Sequence, residues 1–134
     1  MRFLLMMNYG YVEADVPPMP EWSPADVKGH IDFQLRLNEE LTATGELVDA
    51  QGLAGPDEAK FVVADGRSAP LVTDGPFADS KTLLAAGYRI VEVDTEERAV
   101  EIAATMSAAP RPDGEPIRQL IEVRQVMSAP DPEM

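Results

Sequence analysis

His30, Gln34 and Asn38 stand at i, i+4 and i+8 in the run GHIDFQLRLNEEL. In a helix that spacing puts all three on one face. On a wheel of about 100° per residue they fall inside the apolar arc of Val27, Ile31, Phe33, Leu35, Leu37 and Leu41. Lys28, Asp32, Arg36, Glu39 and Glu40 take the opposite side. Polar groups turned inward need partners. Two arrangements supply them: each side chain bonds a carbonyl, a neighbour or a buried water, or the three line a small pocket between helix and sheet. His30 is the only histidine in the chain, and imidazole is the side chain that exchanges protons near neutral pH. It is therefore a candidate general base, although a lone histidine is more often a structural group than a catalytic one.

A second stretch, TDGPFADSK at 73–81, surrounds a Gly-Pro turn with an acid, an aromatic and a lysine. Gly75 precedes proline and is biased to extended backbone, and Asp74 suits a turn because its carboxylate accepts from nearby amides. Phe77 reads as an anchor into the core. A plain structural turn accounts for all of this. Asp74 is also the second catalytic candidate, a carboxylate in addition to the imidazole of His30, and Lys81 could meet Asp74, Asp79 or a ligand anion. With Asn8, Gln34, Asn38 and Tyr88, Lys81 completes the candidate substrate-binding set. The chemistry open to such groups is general acid–base work: proton removal, isomerisation, elimination or a lyase step.

Other chemistries find little support. One histidine and no cysteine leave few ligands for a transition metal. GLAG at 52–55 is too short for a phosphate loop, and no G-x-S-x-G nucleophile is present. No cofactor and no metal are expected. The formal net charge is −13, from 24 acids against 11 bases, a field that repels nucleic acid. No segment reads as a membrane span. Absence of cysteine fits a cytoplasmic protein.

The elements that must position these groups follow from local signals. With 134 residues and 45% apolar composition, the chain suits one domain with a real core. Residues 2–9 read as a covered strand, apolar on both faces. A proline-rich loop at 13–22 could act as a lid or a packed connection, with Met19 and Trp22 as its apolar contacts. Ser23 caps a helix with Pro24 in its first turn, running to about 44 and stopping at Gly45. Residues 47–54 form a strand, and 61–64 with 71–73 form a hairpin turning at Asp65-Gly66. Residues 86–94 form another strand. Asp94 caps a second helix, with Glu97 completing a capping box and Ala99, Ile102, Ala103 and Met106 as its buried stripe. Residues 117–126 are the last strand, and 127–134 a disordered tail. The order β-α-β, hairpin, β-α-β predicts an α+β, ferredoxin-like split βαβ fold with an inserted hairpin. Two helices cover one sheet face, so a second copy is expected on the other: a homodimer.

VTDGPFADSK, with GYRIVEVDTEERAVEIAA and IEVRQV, resembles the DGPF branch of the YCII-related family. The resemblance spans 1–126 and includes FQLRLNEELTATGELVDAQGL. It implies a dimeric α/β barrel of ferredoxin-like subunits with a pocket in each subunit near the interface. It also implies a small-molecule enzyme, one relative being a dehydrochlorinase of chlorinated hydroxybenzenes. The alternative is a non-catalytic metabolite-binding or regulatory module linked to transcription, since some members accompany sigma factors. Asp74, Gly75, Pro76, Phe77, Lys81, Tyr88, Glu122 and Arg124 match the pattern. The His-Asp pair of another branch does not carry over: Gln34 stands at its histidine position, with His30 one turn earlier, and only Asp113 lies near the place of its aspartate. Asp79, Ser80, Thr82, Ala86, Arg89 and Gln125 also depart from the pattern, Arg89 where an aromatic is usual.

Overall fold

A computed structural model of the chain describes residues 1–8, 17, 19–74 and 85–127. Its elements are β1 (Arg2–Asn8), α1 (Pro24–Ala43), β2 (Leu47–Gly52), β3 (Lys60–Val63), β4 (Leu71–Asp74), β5 (Ala85–Glu92), α2 (Glu96–Ser107) and β6 (Ile121–Gln125). β2, β5, β1 and β6 lie in that order in a four-stranded sheet whose neighbours are all antiparallel. β3 and β4 pair separately as the inserted hairpin. The chain is α+β, and its strand order is compatible with the ferredoxin-like arrangement.

Period-two alternation decides which side chains reach the helices. In β1, Phe3 and Leu5 are buried while Leu4 and Met6 are half-buried on the other face. The register sets Phe3 beside Val91, and Leu5 beside Arg89 and Val123. Phe3, Leu5, Val91 and Val123 meet Leu37 and Leu41 of α1 and Ala99, Ile102 and Met106 of α2 in the main core. Trp22, Ala109 and Ile117 form a smaller cluster, and Phe33 packs against both.

α1 begins as expected: Ser23 Oγ accepts from the Asp26 amide at 3.2 Å, and Gly45 follows the helix with φ 77°. Its buried face is narrower than the wheel implies. His30, Leu37 and Leu41 are buried, whereas Ile31 is 45% and Leu35 55% exposed. The sheet touches one line of the helix, and Ile31 and Leu35 lie to one side of it.

Several boundaries differ from expectation. The N-cap of α2 is Thr95, not Asp94: its hydroxyl accepts from the Arg98 amide at 3.2 Å. The stripe Ala99, Ile102, Ala103 and Met106 is buried. β6 starts at Ile121 because the preceding backbone is committed elsewhere: the Ile117 amide donates to Ala109 and the Arg118 amide to Ser107, at 2.7 and 2.8 Å. Arg118 takes φ 57° as the chain turns. β2 ends at Gly52. The hairpin loop spans 64–70, with Asp65 Oδ1 accepting from the Arg67 and Ser68 amides at 2.9 Å each. The expected tail falls, from 128 onward, outside the described residues. Among those described, no helix is long and apolar enough to cross a membrane.

One ion pair ties the start of the second strand to the second helix. Arg98 donates to Glu46 from Nε at 2.8 Å and from Nη2 at 2.9 Å. These bonds, with one from Thr44, hold the Glu46 carboxyl down at about 2 against an ordinary value of 4.5. Because the folded value is depressed, the stabilisation is present above 4.5 and is lost as pH falls towards 2. Glu46→Gln is expected to cost about 1 kcal/mol at pH 7, discounted for the partly exposed arginine. Its melting curve should converge on that of the parent between pH 4.5 and 2. A gap that stays constant with pH would remove the ion pair as its source.

Candidate functional site

The polar stripe of α1 closes on a residue from the sheet. β5 alternates Gly87, Arg89 and Val91 on its helix-facing side, with Leu5 opposite Arg89. Arg89 is only 2% exposed. Its Nε donates to Asn38 Oδ1 at 2.8 Å, and its Nη2 donates to Gln34 Oε1 at 2.9 Å and to the Gln34 carbonyl at 3.1 Å. Its Nη1 is buried and meets no acceptor among the described residues.

The same glutamine reaches the histidine. Since Gln34 Oε1 accepts from Arg89, its amide nitrogen faces His30 Nε2, 3.3 Å away. On the other side of the ring, Nδ1 lies 3.0 Å from the Pro110 carbonyl. A carbonyl only accepts, so Nδ1 carries the proton and Nε2 is left as the acceptor. Trp22 meets the ring edge-on, with centroids 5.6 Å apart at 78°, and is itself fixed by Nε1 donating to the Pro17 carbonyl at 2.8 Å. The result is a continuous path from Pro110 through His30, Gln34 and Arg89 to Asn38.

Charge is unbalanced along this path. Every acceptor on Arg89 is neutral, and among the described residues no carboxylate pairs with it. Burial alone pushes the guanidinium down from its ordinary value to about 10. Folding therefore disfavours the charged form by on the order of 3 kcal/mol. A structural arginine at this depth is normally matched by an acid; this one is held by amides.

The candidate residues separate into groups. His30, Gln34 and Asn38 share the network. Asp74 lies at the end of β4 in the separate hairpin, with its side chain 78% exposed and paired with Lys60; no described contact joins it to His30. Tyr88 follows the opposite face of β5, where its hydroxyl donates to Asp49 Oδ2 at 3.0 Å, an interaction that raises its pKa. Asn8 is buried at the end of β1 with its amide on the Met6 carbonyl at 3.2 Å. Lys81 and Gly75, Pro76 and Phe77 lie outside the described residues.

Arg89 is the residue that the motif reading passed over. Its signal was present: in AGYRIVEVD the alternation that carries Val91 and Val93 inward carries Arg89 with them. Away from the network, a cleft of 230 Å³ opens between α1 and α2, rimmed by Glu40, Thr44, Arg98 and Thr105; it touches none of the stripe residues. Among the described residues no cluster of three His, Asp or Glu side chains is placed to hold a metal ion. Compared with known proteins, the chain matches no family model and no curated protein.

Proposed function

We propose that the chain is a small-molecule enzyme working by cofactor-independent acid–base chemistry between the first helix and the sheet, with His30 Nε2 as the base. One observation carries this reading: the Pro110 carbonyl holds the proton on Nδ1 and turns a basic nitrogen towards the interior. Displacing the 3.3 Å contact from Gln34 opens Nε2 to a substrate C–H or O–H. The proton moves to Nε2, and the electron pair it leaves forms a new double bond as an adjacent carbonyl π pair shifts onto its oxygen, in an isomerase step, or as a leaving group departs from the neighbouring carbon with its bonding pair, in a lyase step. Arg89, Gln34 and Asn38 lie along the same wall to orient polar substrate atoms. The resemblance to the YCII-related DGPF branch supports the reading. It extends it to a dimeric α/β barrel, in which the sheet face bearing Leu4, Met6 and Ile90 closes on a second copy.

A second reading, a metabolite-binding module without chemistry, is favoured by the placement of Asp74. That carboxylate pairs with Lys60 at the surface, and no other described carboxylate hydrogen-bonds to His30. The experiment that separates the two is a metabolite screen by thermal shift, followed by turnover assays of the hits. Sedimentation of the same sample is expected to give a species of twice the 14.6 kDa chain mass. His30→Ala is expected to retain the fold, bind hits more weakly and lose turnover by about 10²-fold or more, as removal of a general base does. Asp74→Asn is expected to behave as the parent. Hits bound but never turned over would leave the module reading, and a monomer in sedimentation would remove the barrel.

A further inference from the structure

We propose that Arg89 anchors a binding site for a small carboxylate, received at Nη1 beneath the first helix. This deepens the reading above, taking its location from it and adding the substrate class.

Four observations lead there. A guanidinium offers five N–H donors. Three of them serve Asn38 and Gln34, and the two on Nη1 face no acceptor among the described residues although the nitrogen is buried. A buried donor left open costs free energy, and a chain with 24 acids has ample means of supplying a counter-ion, yet none of the described ones does so. Second, the fork is immobilised before any ligand arrives: Nε and Nη2 are fixed by amides on successive turns of α1, so the orientation of Nη1 is set in advance. Third, the register places Gly52 opposite Gly87, next along the same face from Ala50 and Arg89. A Cβ at Gly52 would meet nothing within 4 Å, while one at Gly87 would lie 2.8 Å from Met7 Cε, so the open side next to Arg89 is the Gly52 edge and the flexible Met7 side chain covers the Gly87 side. Fourth, the site suits a monoanion. One nitrogen with two hydrogens can satisfy a carboxylate but not the three or more oxygens of a phosphate. A net charge of −13 also opposes a dianion more strongly than a monoanion.

The test uses acetate and propionate as probes, with acetamide and propionamide as neutral counterparts and inorganic phosphate as the dianion, at constant ionic strength. Binding is read by NMR from the Arg89 Nε–Hε resonance and the His30 ring signals. The carboxylates are expected to shift both in a saturable manner, and the amides neither. Arg89→Met is expected to weaken carboxylate binding by about 10- to 100-fold, the loss of a charge-assisted hydrogen bond. Arg89→Lys, which keeps the charge without the fork, serves as the second variant and is expected to lose about tenfold. Equal binding of the amides, undiminished binding by the variants, preference for phosphate, or absence of any saturable shift because Nη1 meets only water would each overturn the proposal. Turnover is not needed for this readout. If the parent binds carboxylates but turns over no substrate, the acid–base reading falls while the anion site stands. If neutral substrates alone are turned over, the reverse holds.

Discussion

Asn38→Ala is expected to cost about 2–3 kcal/mol of folding stability in the natural chain, and less than about 1 kcal/mol in a chain that already carries Arg89→Met. Asn38 Oδ1 is the acceptor of Arg89 Nε, at 2.8 Å, on a side chain that is 2% exposed. Removing it leaves the cation with two unsatisfied nitrogens, because Nη1 has no acceptor among the described residues to begin with. Water cannot readily replace the lost partner at that depth. Breaking one side of a buried charged arrangement is severe because the charge stays behind. Arg89→Met alone behaves differently, since it removes the charge, its desolvation and the open Nη1 together while keeping an unbranched chain among Leu5 and Val91. Its stability is expected to stay within about 1 kcal/mol of the parent, or to rise. Urea denaturation of the four proteins gives the coupling directly. Equal costs of Asn38→Ala in both backgrounds would mean that Asn38 matters for some reason other than Arg89. A large loss from Arg89→Met would make the arginine a structural post.

Phe3→Ala is expected to destabilise the fold by about 3–5 kcal/mol, against a change within about 0.5 kcal/mol for Leu35→Ser. The two residues are both large and apolar, and both belong to elements of the main layer pair. Phe3 is 1% exposed, at the centre of the cluster that joins both helices to the sheet. Truncating it leaves a cavity that close-packed neighbours fill only in part. Leu35 is 55% exposed and loses little contact on becoming serine. The comparison measures which way the first helix is turned. A Leu35→Ser cost approaching that of Phe3→Ala would show that this flank of the helix is covered in the assembled protein.

Local signals located the elements well because they act within a few residues. Ser23 before Pro24, and Gly45 after the last turn, mark the ends of α1 by chemistry that needs no distant partner. The helix spacing also set His30, Gln34 and Asn38 on one inward line. The choice between Asp94 and Thr95 as a cap was finer, because either side chain can accept from a first-turn amide and one residue of register decides. The start of β6 was beyond local reading altogether. Ile117 and Arg118 bond back to Ala109 and Ser107 at the end of α2, and apolar pattern alone does not separate that from strand pairing.

By itself the amino-acid sequence determined the order of strands and helices, the inward polar stripe and the scarcity of metal ligands, all of which depend on residue type and short spacing. Only the tertiary structure decided what the stripe faces. Arg89 is 51 residues from Asn38 and 55 from Gln34 along the chain, and strand register alone brings it beneath them. The same long-range geometry separated Asp74, at the surface beside Lys60, from His30, in the interior beside Pro110. Local pattern fixes the face on which a side chain emerges. Which distant charge meets it there, and which nitrogen is left open, follows from how strands pair and helices cross them.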